Sequence, residues 1–162
     1  MFGNKNFINK NILIYGLGLS GKSSLKFLSK QNKINIFDDN LYLKKKSNFK
    51  YSTSLKEISK SQFDFIVISP GIDIEKCKLK KYLKRNREKI VTELDIFYLL
   101  FPQNIKVTIT GTNGKSTTCQ MLYEIFKFNN IDVRLVGNIG RPPLLEKNIK
   151  KKTVFVIEAS SY

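Results

Sequence analysis

The feature that most constrains this chain is a junction that occurs twice. A short β-branched run leads into a glycine-rich loop, which opens an amphipathic helical pattern. The first junction reads NILIY-GLGLSGKS from residue 11 and the second IKVTI-TGTNGKSTT from residue 105. A strand that ends on glycines and restarts as a helix is the βα unit of a mostly parallel sheet. The same alternation runs through the rest of the chain. It predicts strands over 11–15, 33–37, 63–68, 89–91, 105–109, 132–136 and 153–157, with helices over 20–29, 75–87, 93–100 and 115–128. The fold class is therefore α/β. The breaker cluster Phe101-Pro102-Gln103-Asn104 precedes a restart of the pattern and sets a domain boundary, with domains expected at 1–101 and 102–162. The second of these stops directly after a strand, with too few residues to cover both faces of a sheet, so it reads as the first part of a truncated domain.

The two loops exploit the same physics: glycines let backbone approach an anion, and a helix N-terminus offers unpaired N–H groups and a partial positive charge. GLGLSGKS satisfies both the dinucleotide pattern GxGxxG and the triphosphate pattern GxxxxGK[ST]. Asp38-Asp39 follows the second strand about 20 residues on, where a carboxylate accepts hydrogen bonds from a ribose or base. That favours a Rossmann-like first domain and makes Lys22 a surface residue. An NAD(P)-binding Rossmann module and a P-loop ATPase working through Lys22 stand as the alternatives. The second loop has Ile109 where the strict triphosphate pattern has its first glycine. Its chemistry nevertheless suits ATP, as expected of a P-loop-type α/β domain. Gly111, Thr112, Asn113, Gly114, Lys115, Ser116 and Thr117 can form an anion nest, with Lys115 reaching the terminal phosphates and the Ser116 hydroxyl ligating Mg²⁺. A Gly/Asn turn followed by a helix cap is the structural alternative. Glu158 ends the last strand, which puts a carboxylate at the carboxyl edge of the sheet, where ligands bind in such folds. With Ser116 it makes a hard-oxygen Mg²⁺ site; a solvent-facing Glu is the plainer alternative.

Composition removes other classes. No apolar run approaches the roughly 18 residues of a spanning helix, and residues 1–11 lack an apolar signal core, so no membrane role and a cytoplasmic location are expected. Cys77 and Cys119 are far apart and the chain has no histidine, which excludes zinc sites and Cys/His nucleophile pairs within it. A net charge of +16 would ordinarily suggest nucleic acid. Among the 29 basic residues, however, only Arg85, Arg87, Arg134 and Arg141 are arginine, whereas bidentate readout favours arginine. The lysines, densest at 44–46 and 147–152, read as solvated helix ends or loops, with no nucleic-acid partner.

These motifs carry a family resemblance. TGTNGKST resembles the ATP loop of the Mur ligases and the related folylpolyglutamate synthetases. GLGLSGKS, SPGI at 69–72, VTELDIF at 91–97, GNIG at 137–140 and IEASSY at 157–162 fall in the order of a Mur ligase, nearest to the D-glutamate-adding branch, and span the whole chain. The resemblance implies that the first loop grips the UDP end of a substrate instead of a nicotinamide cofactor. Carried over by motif, Gly18, Leu19 and Ser20 face the diphosphate, Asp38 and Asp39 the uridine, Ser69, Pro70 and Gly71 the sugar-nucleotide, and Asn138 and Ser160 the same substrate. From residues alone, Asn138 could equally be a left-handed turn residue before Ile139. The chain departs from the family at Asp39, often Thr or Ser there, and at Asn40, often Arg.

The implied reaction joins D-glutamate to UDP-N-acetylmuramoyl-L-alanine at the expense of ATP. The substrate carboxylate takes the γ-phosphoryl group, and the amine attacks the resulting acyl phosphate. Lys115 and Glu158 are the implied catalytic residues, and Ser116 and Glu158 the implied Mg²⁺ ligands. The family also implies a monomer when full length. It further uses a histidine, a carbamylated lysine and a C-terminal domain that are not found in these 162 residues. On that ground the chain alone is expected to lack ligase activity.

Overall fold

Strands buried on both faces need near-continuous apolar runs, and β1 (Asn11–Tyr15) supplies one in Ile12, Leu13, Ile14 and Tyr15, none of which is exposed. The structure is a computed structural model that describes residues 7–39 and 55–160. It divides into two compact units, residues 1–96 and 97–162.

In the first unit β1 lies between β2 (Lys33–Phe37) and β3 (Phe65–Ile68), and β4 (Ile90–Val91) adds to β3. All pairings are parallel, with Tyr15 opposite both Phe37 and Ile68. Leu13 and Tyr15 point to one face, where they join Phe37, Ile58, Phe63, Ile66, Ile68, Leu79 and Leu83 in a buried cluster. Among the described residues this unit holds the helices α1 (Leu19–Leu28), α2 (Leu55–Lys60) and α3 (Lys80–Arg85), and α4 (Glu93–Leu100) begins within it. Ser23 on α1 donates its hydroxyl to the buried carboxylate of Glu93, a link between elements 70 residues apart.

In the second unit β7 (Val154–Glu158) lies between β5 (Lys106–Ile109) and β6 (Val133–Gly137), again all parallel. Helix α5 (Lys115–Phe128) covers one face through Cys119, which packs with Val133, Val154 and Val156. On the opposite face Phe155 meets the ring of Phe97 edge-on at 4.8 Å, and Phe97 lies 5.2 Å from Phe101. Asn104 donates its amide to the carbonyls of Lys150 and Thr153, tying the start of β5 to the turn before β7.

The α/β class and parallel sheets expected from sequence are present, and several boundaries shift for physical reasons. The strand expected from residue 63 starts at Phe65, because the Asp64 side chain takes the backbone N–H of Asn11 and interrupts the ladder. The helix expected over 75–87 contracts to Lys80–Arg85. Asp73 folds an Asx turn onto the N–H of Glu75 ahead of it, and a 3-10 turn (Arg87–Lys89) follows it. Helix α2 was not anticipated; its one buried residue, Ile58, gives no periodic signal. The compact units part at Ile96/Phe97, and Phe97 belongs to the aromatic cluster around Phe155. The lysine-rich residues 147–152 do form loop and turn, whereas the run 44–46 lies outside the described residues.

At Gly21 on α1 a Cβ would lie 1.8 Å from the carbonyl oxygen of Gly16, whereas one at Gly18 would meet nothing within 4 Å. Gly21→Ala should therefore destabilise the first unit by about 3 kcal/mol or more. Gly18→Ala should stay within about 0.5 kcal/mol, as surface substitutions do. Urea unfolding of the two variants checks the contrast.

Candidate functional site

Two glycine loops open at the carboxyl ends of parallel strands, one in each unit, and each is built by its own unit. In the second unit the chain leaves β5 at Ile109 and turns through Gly111, at φ +143°, and Gly114, at φ +75°, before α5 begins. Those torsions favour glycine. No acidic residue occupies the first turn of α5 and no side chain caps it, so its N-terminal charge is left for an anion. Lys115 curls over the loop, donating from Nζ to the carbonyl of Gly111 at 2.6 Å and that of Thr112 at 3.3 Å. Its ammonium therefore lies directly above the candidate anion nest. Thr112, Asn113, Gly114, Ser116 and Thr117 are exposed and Gly111 is half-buried.

Glu158 closes the site from the central strand. It pairs in register with Ile109 on one side and Gly137 on the other, at the carboxyl edge of all three strands. Its side chain is 5% exposed, and Oε2 accepts the Ser116 hydroxyl at 2.7 Å. A chain segment passes this close to Glu158 only because residue 137 is glycine: at φ +109°, a Cβ there would lie 2.2 Å from the Glu158 carbonyl oxygen. The next residue, Asn138, donates its backbone N–H to that carbonyl and its side-chain amide to the Ser160 hydroxyl at 2.9 Å. Lys115, Ser116, Glu158, Asn138 and Ser160, assigned separately from sequence, are thus gathered along one strand edge. Burial and the neighbouring Glu158 charge push the Cys119 thiol up, which keeps this cysteine an inert part of the packing.

For a divalent cation the donor chemistry fits. Glu158 and Ser116 present two hard oxygens, and among the described residues no cluster of three or more His, Cys, Asp or Glu side chains competes for a metal. Two protein oxygens completed by nucleotide oxygens and water is how Mg²⁺ is ordinarily held.

In the first unit the loop leaves β1 through Gly16, at φ +93°, whose N–H donates to the Phe37 carbonyl. Helix α1 starts at Leu19 with neither a side-chain cap nor an acidic first turn; Gly18 and Leu19 are exposed and Ser20 half-buried, as an anion contact requires. Lys22 is exposed on the helix surface. The two acids after β2 differ in what they do. Asp38 is buried and accepts the N–H of Leu17 at 2.5 Å, which fixes the loop itself. Asp39 instead accepts the hydroxyl of the buried Tyr15 at 2.7 Å. Ser69 is also buried, donating its hydroxyl to the Gly16 carbonyl at 2.9 Å, while Pro70 is half-buried and Gly71 exposed. Tyr15 was not singled out from sequence; a tyrosine closing the aliphatic run Ile12-Leu13-Ile14 was the available signal.

Comparison with known proteins identifies the family. Residues 10–92 match the N-terminal domain of the Mur ligase MurD-like family, and residues 109–162 match the Mur ligase middle domain. The chain is 37% identical over 163 residues to a UDP-N-acetylmuramoylalanine--D-glutamate ligase of Buchnera aphidicola subsp. Schizaphis graminum, covering 97% of this chain and 36% of that protein. It is 32% identical over 167 residues to the ligase of that name from Clostridioides difficile (strain 630), covering 94% and 36%. The chain thus spans about a third of the length of these curated relatives, 36% in each case. Among solved structures, the UDP-N-acetylmuramate:L-alanyl-gamma-D-glutamyl-meso-diaminopimelate ligase from Neisseria meningitides matches 93% of this chain and 52% of its own, at a TM-score of 0.54 and 16% identity, a likeness of fold. Two matched regions in sequential order, the first holding the GLGLSGKS loop and the second the TGTNGKST loop with Glu158, establish that the chain belongs to the Mur ligase family.

Proposed function

We propose that this chain is the UDP-substrate-binding and ATP-binding portion of an ATP-dependent acid–amino-acid ligase of peptidoglycan precursor synthesis, the one that adds D-glutamate to UDP-N-acetylmuramoyl-L-alanine. The observation that carries the reading is the grouping of Lys115, Ser116 and Glu158 at one strand edge, over a glycine loop that opens a helix. The names and identities of the relatives support the choice of substrates.

In this reading residues 1–101 bind the UDP end and residues 102–162 are the first part of the ATP-binding domain. Gly18, Leu19 and Ser20 offer the start of α1 to the diphosphate, Asp39 serves the uridine, and Asp38 acts by holding the loop that carries them. Ser69 likewise acts through the Gly16 carbonyl, leaving Pro70 and Gly71 for direct contact with the sugar-nucleotide. Asn138 and Ser160 are assigned to the same substrate, each keeping the other's side chain oriented.

The reaction brings two anions together, a substrate carboxylate and the γ-phosphate of ATP. A carboxylate oxygen attacks the γ-phosphorus as the bond to the β-bridging oxygen breaks, giving an acyl phosphate and ADP. The amine of D-glutamate then attacks the acyl carbon, phosphate leaves, and the amine gives up a proton. Lys115 lies where its ammonium can leave the Gly111 and Thr112 carbonyls for the terminal phosphates, and the residue 111–117 amides can neutralise the rest. Ser116 and Glu158 would hold Mg²⁺, which shields phosphate charge when bound.

Lys115→Ala should weaken MgATP binding by about tenfold or more, the effect expected from losing one charge-assisted contact, and leave UDP affinity unchanged. Isothermal titration with each nucleotide checks this, and parallel loss of both would contradict the division of labour. Lys22→Ala should change ATP affinity less than twofold; a larger loss would favour a P-loop in the first unit. UDP should raise the melting temperature and NADH should not, and the opposite pattern would identify a nicotinamide module instead.

A further inference from the structure

Tyr15 is an unusual residue to find fully buried at the end of the central strand of the first sheet, because a buried phenol needs a partner for its hydroxyl. Its ring packs edge-on against Phe37, its register partner on β2, at 5.2 Å, and so holds the hydroxyl beside the residues that follow that strand. The hydroxyl donates to Asp39 Oδ2 at 2.7 Å, and the Cys77 thiol lies against the same hydroxyl. Burial pushes the phenol's pKa well up, with the Asp39 and Cys77 contacts adding to it, so the proton stays on Tyr15 and the hydroxyl remains a donor. The second carboxylate oxygen, Asp39 Oδ1, is shielded from solvent yet accepts no hydrogen bond among the described residues; the nearest cation, Lys78 Nζ, is 3.9 Å away. The Asp39 side chain as a whole is half-buried, so a carboxylate with one oxygen fixed and the other holding only a long ion pair can take an incoming donor.

We propose that Tyr15 is a positioning residue that clamps Asp39 so that Oδ1 accepts a hydrogen bond from an N–H or O–H donor of the bound nucleoside. The inference rests on the reading that the first unit binds a uridine diphosphate group, and it assigns the recognition contact to Asp39 and not to Asp38. Asp38 is committed to the Leu17 N–H of the loop. The donor has two chemical sources. A uracil ring presents an imide N–H where cytosine presents an acceptor, and a ribose presents a 2′-hydroxyl that the deoxy sugar lacks. A carboxylate oxygen discriminates against the first alternative by repulsion between acceptors and against the second by loss of the bond.

The test is isothermal titration of the chain with UDP, CDP and 2′-deoxy-UDP, for wild type and Tyr15→Phe, with melting temperature read in parallel. Wild type should prefer UDP over one of the two analogues by about tenfold, as expected for a hydrogen bond to a charged group. Weaker CDP identifies the base as the donor, and weaker 2′-deoxy-UDP identifies the ribose. Tyr15→Phe should shrink that same ratio to about threefold or less. A merely structural role for Tyr15 would lower the melting temperature and leave the ratio untouched, which overturns the proposal. Asp39→Ala, which removes the accepting oxygens and keeps the Tyr15 ring, should abolish the ratio, and its persistence there overturns the proposal even where Tyr15→Phe folds poorly. Wild type that binds UDP with no preference over either analogue also overturns it. Wild type that binds none of the three overturns the uridine reading itself and the proposal with it.

Discussion

Each unit depends on a backbone approach that leaves no space for a Cβ. In the first unit Gly21 lets α1 settle against the Gly16 carbonyl, so that the helix N-terminus opens immediately beyond β1. In the second, Gly137 lets β6 run past the carbonyl of Glu158 and deliver Asn138 to the same strand edge. Strand ends, helix starts and functional side chains can then share a few ångströms because the chain is at its thinnest there. Packing behind these points, by the Leu13–Tyr15 face in one unit and by Cys119 and Phe155 in the other, fixes them in place.

The electrostatics of the two loops differ in a way that suits different ligands. Around residues 110–118 a lysine sits over the loop and the Glu158 carboxylate is bonded to a hydroxyl, an arrangement that suits phosphate accompanied by a cation. Around residues 16–20 Lys22 is exposed, and two carboxylates follow β2, one bound to the loop backbone and one to a phenol. Acceptors of that kind suit the donors of a nucleoside better than the charge of a triphosphate. This asymmetry gives a physical reason for choosing between two loops that satisfy overlapping sequence patterns.

Much of the architecture was legible because periodicity and punctuation agree. The strands at Asn11–Tyr15 and Lys33–Phe37 and the helices at Glu93–Leu100 and Lys115–Phe128 fall where β-branched runs, glycines and helical spacing place them. What was not legible depended on side chains acting as backbone. Asp64 ends a ladder, Asp73 replaces a helical turn, and Phe97 transfers a helix end to another unit through ring packing, none of which leaves a periodic trace. The same holds for the candidate sites. Lys115, Ser116 and Glu158 were readable from motif and strand end, and the structure brings them together. The separate hydrogen bonds of Asp38, Asp39 and Ser69, and the Tyr15–Asp39 contact, emerge only when partners more than 20 residues away are known.

The central claim, that the two loops divide two nucleotides between them, is tested most directly by amide chemical-shift mapping of the isotopically labelled chain. MgATP should perturb the amides of residues 111–117 and leave residues 16–20 unmoved, and UDP should do the reverse. Perturbation of residues 16–22 by MgATP, or competition between the two nucleotides for one loop, would contradict the account.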